Sequence, residues 1–528
     1  MNQQRLFVRK IIYFSAIALL LFPLFLLSQP ATTRSKGGLL ARLRSDAGLT
    51  QANLGQIDPT SASMKLATFG LHGAATTKLW TNAIDYKERE DFTNFGATLQ
   101  QITYLQPHFV KVWEFQGHNV AFNISVEFDD YRDRYHYVRK GFNLLKKGIR
   151  YNEKEPKLLR VLAHFTGFKI GRSDEKKFYR VMYREDDDYH APPRDQNPLL
   201  GTRYQRPEAL RDSWLVSKWW YREAEKLILN RLASYGTISP FLLHSDPPRQ
   251  QMQYAEAIEK EGEFGTKAKQ AWELSDKEWQ DYGARDMPTT WGFSVRLSQL
   301  ERFRKLRDQY LQELNELEAG LRDTLKEEVL DGLTPEELAA WNTPPEERNP
   351  ELAMIAADVK GRLDISLAQL AEELPEHKRQ KALQLKERYD YANDRFRMIE
   401  KYRDVVNYAY WERRSQIEQS ADTIAARQNI YLGKKAYRDG DLPAARQLFE
   451  EGIRLWSAVL TKYPVLLDEY VMVDDLMKMI QGYQEILAQT REDGSRQLPD
   501  DFDLQNVVDK WEEYQGPKAG TGPTIDPT

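Results

Sequence analysis

The run Arg184-Glu-Asp-Asp-Asp-Tyr-His190 gathers four carboxylates and an imidazole within seven residues. Carboxylate oxygens and a neutral imidazole nitrogen are the donors that bind hard divalent cations. Asp186, Asp188 and His190 are therefore candidate metal ligands. They define one reading of the protein, a metal-dependent enzyme or metal-binding protein built on residues 185–190. The run stands before Pro192-Pro193, which places it in a loop where backbone carbonyls would add further donors. It lacks the carboxylate spacing and turn glycine of an EF-hand loop. A solvated acidic linker accounts for the same residues without any metal.

A second cluster, Phe128-Asp-Asp-Tyr-Arg-Asp-Arg-Tyr135, interleaves carboxylates, guanidinium groups and rings. Arginine pairs with carboxylates through two parallel bonds and stacks on aromatic faces. Tyr131, Arg132, Arg134 and Tyr135 are thus candidate binding residues of a recognition loop, or members of an internal ion-pair network. Seven of the eight histidines lie between His72 and His244, yet none form the i, i+4 pair of a zinc protease, and HExxH is absent. Trp214, Trp219, Trp220 and Tyr221 suit either a ligand platform or interhelix packing; Trp214 and Tyr221 fall on one helical face. There is no P-loop, GxGxxG or GxSxG. With no cysteine, disulfides, thiolate metal sites and a Cys nucleophile are excluded. No catalytic residue and no cofactor are assigned.

The elements that position these side chains read as all-α. Aromatic residues recur beside Ala and Gly at helical spacing, and no convincing period-two run of β-branched residues appears. Residues 61–180 form TPR-like helical repeats. Leu79-Trp80, Ala83 and Tyr86 lie on a first helix, Leu99 and Ile102 on a second, and Pro107 closes the pair. Trp113-x-x-Gln116-Gly117 opens the next unit. Residues 128–135 intervene before its second helix, which carries Gly141, Leu144, Leu145 and Gly148. Small residues let paired helices approach while aromatics fill the gaps between neighbours. An acidic, Pro-containing linker follows at 181–210, then a second TPR-like unit at 211–292 with Ala255, Gly262, Phe264 and Ala271. A long antiparallel helical arm spans 293–428, its helices at 295–331 and 378–428 joined by a helical insertion. Thr334-Pro335-Glu336-Glu337 supplies a hydroxyl N-cap, Pro at N1 and Glu at N3. A TPR-like repeat with further helices occupies 429–515, marked by Leu432-Gly433, Gly440-Asp441, Ala445, Phe449 and Gly452. Pro464 comes late, so the second helix of that repeat runs long. The Gly- and Pro-rich tail, 516–528, reads as disordered.

Membrane attachment comes from the N-terminus. After a short tail, 1–10, the span 11–29 contains the apolar run Ile11–Leu27 behind Arg5, Arg9 and Lys10. Seventeen helical residues reach about 25 Å, the low end of a bilayer core. Ser28-Gln29-Pro30-Ala31 offers no good small-x-small cleavage site, so the run reads as a retained single-pass transmembrane helix rather than a signal peptide. Residues 30–60 form a juxtamembrane linker. Basic residues flank both sides, and a large body translocates largely regardless of them, so the body is expected to be extracytoplasmic. With 75 basic against 79 acidic residues, the chain has no basic excess for nucleic acid.

Several strings, Asn119-Val-Ala-Phe-Asn-Ile-Ser125, Phe128–Tyr135, Lys169-Ile-Gly-Arg172 and Arg211-Asp-Ser-Trp-Leu-Val216, resemble a family of membrane-anchored helical proteins from planctomycete bacteria. The likeness runs from about residue 60 to the C-terminal repeat. The family has no assigned biochemical function. Some members carry the label "iron responsive element", which names an RNA structure rather than an activity. The resemblance implies architecture and location and carries over no catalytic residue. The expected function is that of a membrane-anchored helical-repeat scaffold for protein–protein interaction, with the metal-dependent reading as its alternative. Partner identity and oligomeric state are not encoded in any recognisable motif.

Overall fold

The computed structural model describes residues 72–191, 210–318 and 320–516, with positions 12–17, 19–20, 22–23, 27, 38–39 and 42–43. Much of the expected membrane helix, nearly all of the 30–60 linker, the stretch 192–209 and the tail beyond Gly516 lie outside the described residues. No helix among the described residues is long and apolar enough to cross a membrane. Among the described residues the fold is all-α apart from one two-residue β-pairing. Two compact units divide the chain: Met1–Ser239 with Asp246–Glu261, and Pro240–Ser245 with Gly262–Thr528.

Unit 1 begins with a packed helix pair, α1 (His72–Glu88) and α2 (Phe92–Leu105). Asp91 starts α2 by accepting the Asn94 N–H, which satisfies an otherwise orphaned donor. Ala83, Leu99 and Ile102 are buried in its core with Phe95 and Val112, as the spacing predicts. Next, α3 (Val110–His118) runs without a break into a π-helical turn, π1 (Asn119–Asn123), and a 3-10 turn, Ile124–Glu127. The following helix, α4 (Tyr131–Tyr151), starts earlier than expected: Asp130 is its N-cap, so five of the eight residues of the 128–135 segment are helical.

The glycines of this unit set how closely its helices approach. A Cβ at Gly148 would lie 2.6 Å from the Trp113 ring, and one at Gly117 would meet Leu145 at 2.6 Å. At Gly141 the obstacles are Gly117 O at 2.7 Å and the Ala121 backbone N at 2.8 Å, neither of which can swing aside. Gly141→Ala is therefore expected to destabilise the unit by roughly 1–3 kcal/mol, since overpacking outweighs the helix-propensity gain. Gly96→Ala, on open α2 surface, should instead stabilise by up to ~1 kcal/mol. Urea unfolding of both variants checks the contrast.

Helix α5 (Pro156–Phe165) likewise passes directly into a π-helical turn, π2 (Thr166–Ile170). The segment expected to be a loop folds as α6 (Lys176–Glu185) and a single turn, α7 (Asp187–His190). Its amphipathic face explains the difference. Tyr179 and Tyr183, four residues apart, are fully buried, and Arg180 bridges Asp212 at 2.8 Å and Glu261 at 2.6 Å. Helix α8 (Ser213–Leu229) packs on α5 and π2, with Trp214 filling the space left by Gly167 and Gly171. Trp214, Trp220 and Tyr221 are buried, so this aromatic group serves interhelix packing.

The weaker repeat expected around 252–279 is not a single module. Its helices are α9 (Pro240–Lys260) and α10 (Thr266–Ala284), and the unit boundary between Glu261 and Gly262 separates Ala255 from Ala271. After α10, a β-pairing absent from the sequence reading joins β1 (Met287–Pro288) to β2 (Ser294–Val295) in antiparallel register.

The arm helices of unit 2 are α11 (Leu300–Glu318) and α16 (Glu376–Val405), packed antiparallel. Phe303 meets Tyr391 near one end, and Lys378 donates to Leu317 O near the other. Neither helix extends as far as its apolar stripe suggests. Gly320, at φ +89°, separates α11 from α12 (Leu321–Asp331). Asn407, at φ +50°, separates α16 from α17 (Tyr408–Glu418). These left-handed backbone positions interrupt a periodicity that the side chains continue. Between them lie α13 (Pro335–Asn342), which carries the Thr334–Glu337 capping box, then α14 (Pro350–Leu363) and α15 (Leu367–Glu373).

The C-terminal part follows the sequence expectation closely. Helices α18 (Ala421–Arg438) and α19 (Leu442–Lys462) pair through Gly433 against Phe449 and Gly452 against Ile430. The turn uses Gly440 at φ +83°, and α19 runs as far as Lys462 before Pro464. Helices α20 (Tyr470–Thr490) and α21 (Gln505–Gln515) complete its core.

Candidate functional site

Two short sequences with the same spacing, His118-x-x-x-Phe122 and His164-x-x-x-Phe168, come together on one face of unit 1. Each starts at the end of an α-helix and crosses into the π turn that follows. An i, i+4 spacing puts an imidazole and a ring on the same side of a helix, and both pairs stack. His118 lies 4.8 Å from Phe122, and His164 lies 5.6 Å from Phe168. Phe165 joins the two pairs, meeting Phe122 edge-on at 4.8 Å and His118 at 5.7 Å. Phe122 and Phe168 themselves are 6.4 Å apart.

This face is partly open to water. His118 and His164 are exposed, Phe122 is half-buried, and Phe168 retains 44% exposure. A π turn holds one more residue than an α turn, which re-aims the side chains around it and recurs at functional sites. Two π turns meeting at one face are the structural signal here.

Lys169, on π2, is the unusual charge of the site. It is only 7% exposed, its Nζ lies 5.3 Å from the Phe122 ring centroid, and no carboxylate among the described residues pairs with it. Burial holds its amine below the usual lysine value; the field of Glu175 works the other way. Both imidazoles are also held below their ordinary value. Loss of water around the stacked ring is the main cause for His118, opposed by Glu114 and assisted by Lys169 and Lys87. Loss of water is again the main cause for His164, with Arg160 and His118 adding to it.

These histidines give a pH prediction. In the unfolded chain they take up protons near pH 6.5, while the fold resists protonation until lower pH. The native state thus binds fewer protons in that window, and stability falls as pH drops below 6.5. Asp246 acts in the opposite sense: burial pushes its carboxyl up to about 6 despite its bonds from Arg160, so its contribution falls as pH rises toward that value. The difference between wild type and a His118→Gln/His164→Gln variant isolates the imidazoles. The variant should lose less Tm than wild type between pH 7 and pH 5, as measured by calorimetry.

The residues singled out from sequence do other work. Asp186 caps α7, accepts from Tyr135 Oη at 3.0 Å and pairs with Arg139 at 3.1 Å. Asp188 points to solvent. His190 is buried, with Nε2 2.8 Å from Tyr183 O; facing a carbonyl, that nitrogen carries the proton and is closed to a metal. The three candidate ligands diverge, and the segment is a helical junction that buries Tyr183, Tyr189 and His190 and leaves Glu185, Asp187 and Asp188 in water. Among the described residues, no group of three His, Asp or Glu side chains is arranged to hold a metal ion.

Tyr131, Arg132, Arg134 and Tyr135 make mostly internal contacts. Tyr131 stacks on Phe178 at 4.4 Å, and Arg132 lies over the Tyr131 ring. Arg134 pairs with Glu175 at 2.7 Å and donates to Phe128 O; Tyr135 is committed to Asp186. The cluster fixes the start of α4 against α6. The twin His-x-x-x-Phe spacing was visible in the sequence as a repeated short motif, but nothing there indicated π turns or brought the two copies together. Three comparisons bear on identity, and no family model, curated protein or solved structure matches the chain.

Proposed function

We propose that this chain is a single-pass, membrane-anchored protein whose helical body docks other proteins. The observation that carries the reading is the exposed His118–Phe122 and His164–Phe168 face, aromatic surface that its own unit leaves uncovered. Aromatic rings beside polar groups supply contact area at little entropic cost, the composition of a docking surface. The body is TPR-like in this reading: paired helices held together through glycine, as at Gly148 and Gly433, are the repeating module. The stretch 293–428 serves as an antiparallel arm within unit 2.

Anchoring rests on the Ile11–Leu27 run. Its described positions are helical, and Phe14, Leu19 and Phe22 remain 72%, 76% and 65% exposed, an arrangement suited to lipid. The family resemblance supplies the same location. Divergence of Asp186, Asp188 and His190 gives the metal-dependent alternative no support.

Two measurements test the proposal. Because the chain has no cysteine, a single Glu492→Cys substitution on exposed surface reports orientation through a membrane-impermeant maleimide. Labelling of intact cells is expected for an extracytoplasmic body, and labelling only after lysis would reverse that orientation. In detergent extracts, crosslinked partners of the wild type should be depleted from a Phe122→Ala/Phe168→Ala variant. Equal recovery from both would remove the docking role from this face.

A further inference from the structure

Resting on the docking role just proposed, the chemistry of the His–Phe face indicates what it docks. We propose that it recognises an acidic peptide segment bearing an aromatic side chain. Lys169 is the first reason. A buried ammonium without an ion-pair partner is costly, and a carboxylate delivered by a ligand would offset that cost. Its Nζ lies 5.3 Å from the half-buried Phe122 ring, and the long stem of lysine would let it turn toward a carboxylate arriving there.

Charge balance around the face is the second reason. The carboxylates already built into it are spoken for: Glu114 by Lys111 and Lys157, Glu175 by Arg134, and Asp246 by Arg160. Lys169 and Lys87 have no such partner among the described residues: the fields of Glu175 and Asp174 favour the Lys169 charge, Arg134 opposes it, and Lys87 lies over the Phe115 ring. The resulting surplus is positive but small, which suits a few carboxylates rather than a polyanion. Phe168 and the two imidazoles supply the third reason: although each is stacked within its own His–Phe pair, all three remain exposed, leaving aromatic surface for an incoming ring. Neutral imidazoles also donate to a carboxylate, so the same groups serve both halves of the ligand.

The test is selection of a randomised dodecapeptide display library on the full-length chain in detergent. Three variants accompany it: Lys169→Met, Phe168→Ala and, as a remote control, Met354→Ala on the exposed face of α14. Wild type and Met354→Ala should enrich peptides combining Asp or Glu with Phe, Tyr or Trp. Lys169→Met should lose the acidic enrichment, and Phe168→Ala the aromatic one. The best peptide, resynthesised with a fluorophore, should bind Lys169→Met roughly tenfold or more weakly, the effect of losing a hydrogen bond to a charged group. Peptides without acidic enrichment, or acidic peptides bound equally by Lys169→Met, would overturn this inference and leave the docking role standing. Failure of the wild type to select any peptide would overturn both. Melting curves of the variants separate loss of binding from loss of fold.

Discussion

Glu418→Ala is expected to destabilise unit 2 by about 3–5 kcal/mol. Glu418 closes α17, is fully buried and accepts from two guanidinium groups. Arg427 of α18 approaches it through Nε at 2.6 Å and through Nη2, while Arg414 donates from one turn earlier at 3.4 Å. Arg427 also lies over the Trp456 ring of α19, so this carboxylate ties the C-terminal helix pair to α17. Removing it takes a buried carboxylate away from two guanidinium groups at once. Much of the loss is the cost of unbalancing a buried charge cluster rather than the value of the bonds. A double variant, Glu418→Leu with Arg414→Met, also removes the more buried of the two guanidinium groups and should recover part of the lost stability. Chemical denaturation of the single and double variants measures both; a Glu418→Ala cost below ~1 kcal/mol would show that water reaches the pair.

How far this molecule was legible follows from what each feature writes into the chain. Helix pairs with glycine or alanine at the crossing leave a local mark. Gly433, Ala445, Phe449 and Gly452 accordingly took their expected places, as did Leu99 and Ile102. The Thr334 capping box was equally plain, because the cap is made within four residues of sequence. Helix breaks were not. At Gly320 and Asn407 the backbone turns left-handed while apolar positions continue on either side, and periodicity registers only the side chains.

The candidate site was hidden for a different reason. In residues 184–190 the acidic composition dominates the eye, whereas the fold is decided by Tyr179 and Tyr183 just upstream. Apparent ligands became a helix cap and a carbonyl partner because the burying face set their direction. A π turn has no composition of its own; it appears when tertiary packing makes an extra residue favourable. His118 and His164 could be related only after α3 and α5 were placed side by side.

Lys169→Met is expected to raise the stability of unit 1, by roughly 1–4 kcal/mol, while weakening whatever binds the His–Phe face. Methionine keeps the unbranched stem that packs near Phe122 and removes the charge that burial penalises. The sign follows from proton linkage as well. A lysine whose folded value lies below its unfolded one binds fewer protons in the native state across the interval between them, so stability rises with pH there. Wild type should thus gain stability relative to Lys169→Met as pH rises toward 10.5, narrowing the gap seen at neutral pH. A charge kept where it weakens the fold has its reason outside the fold. Thermal melts at pH 7 and pH 10 decide the point: a variant less stable than wild type at neutral pH would mean that Lys169 is held by internal bonds, and the argument that it awaits a ligand would fail with it.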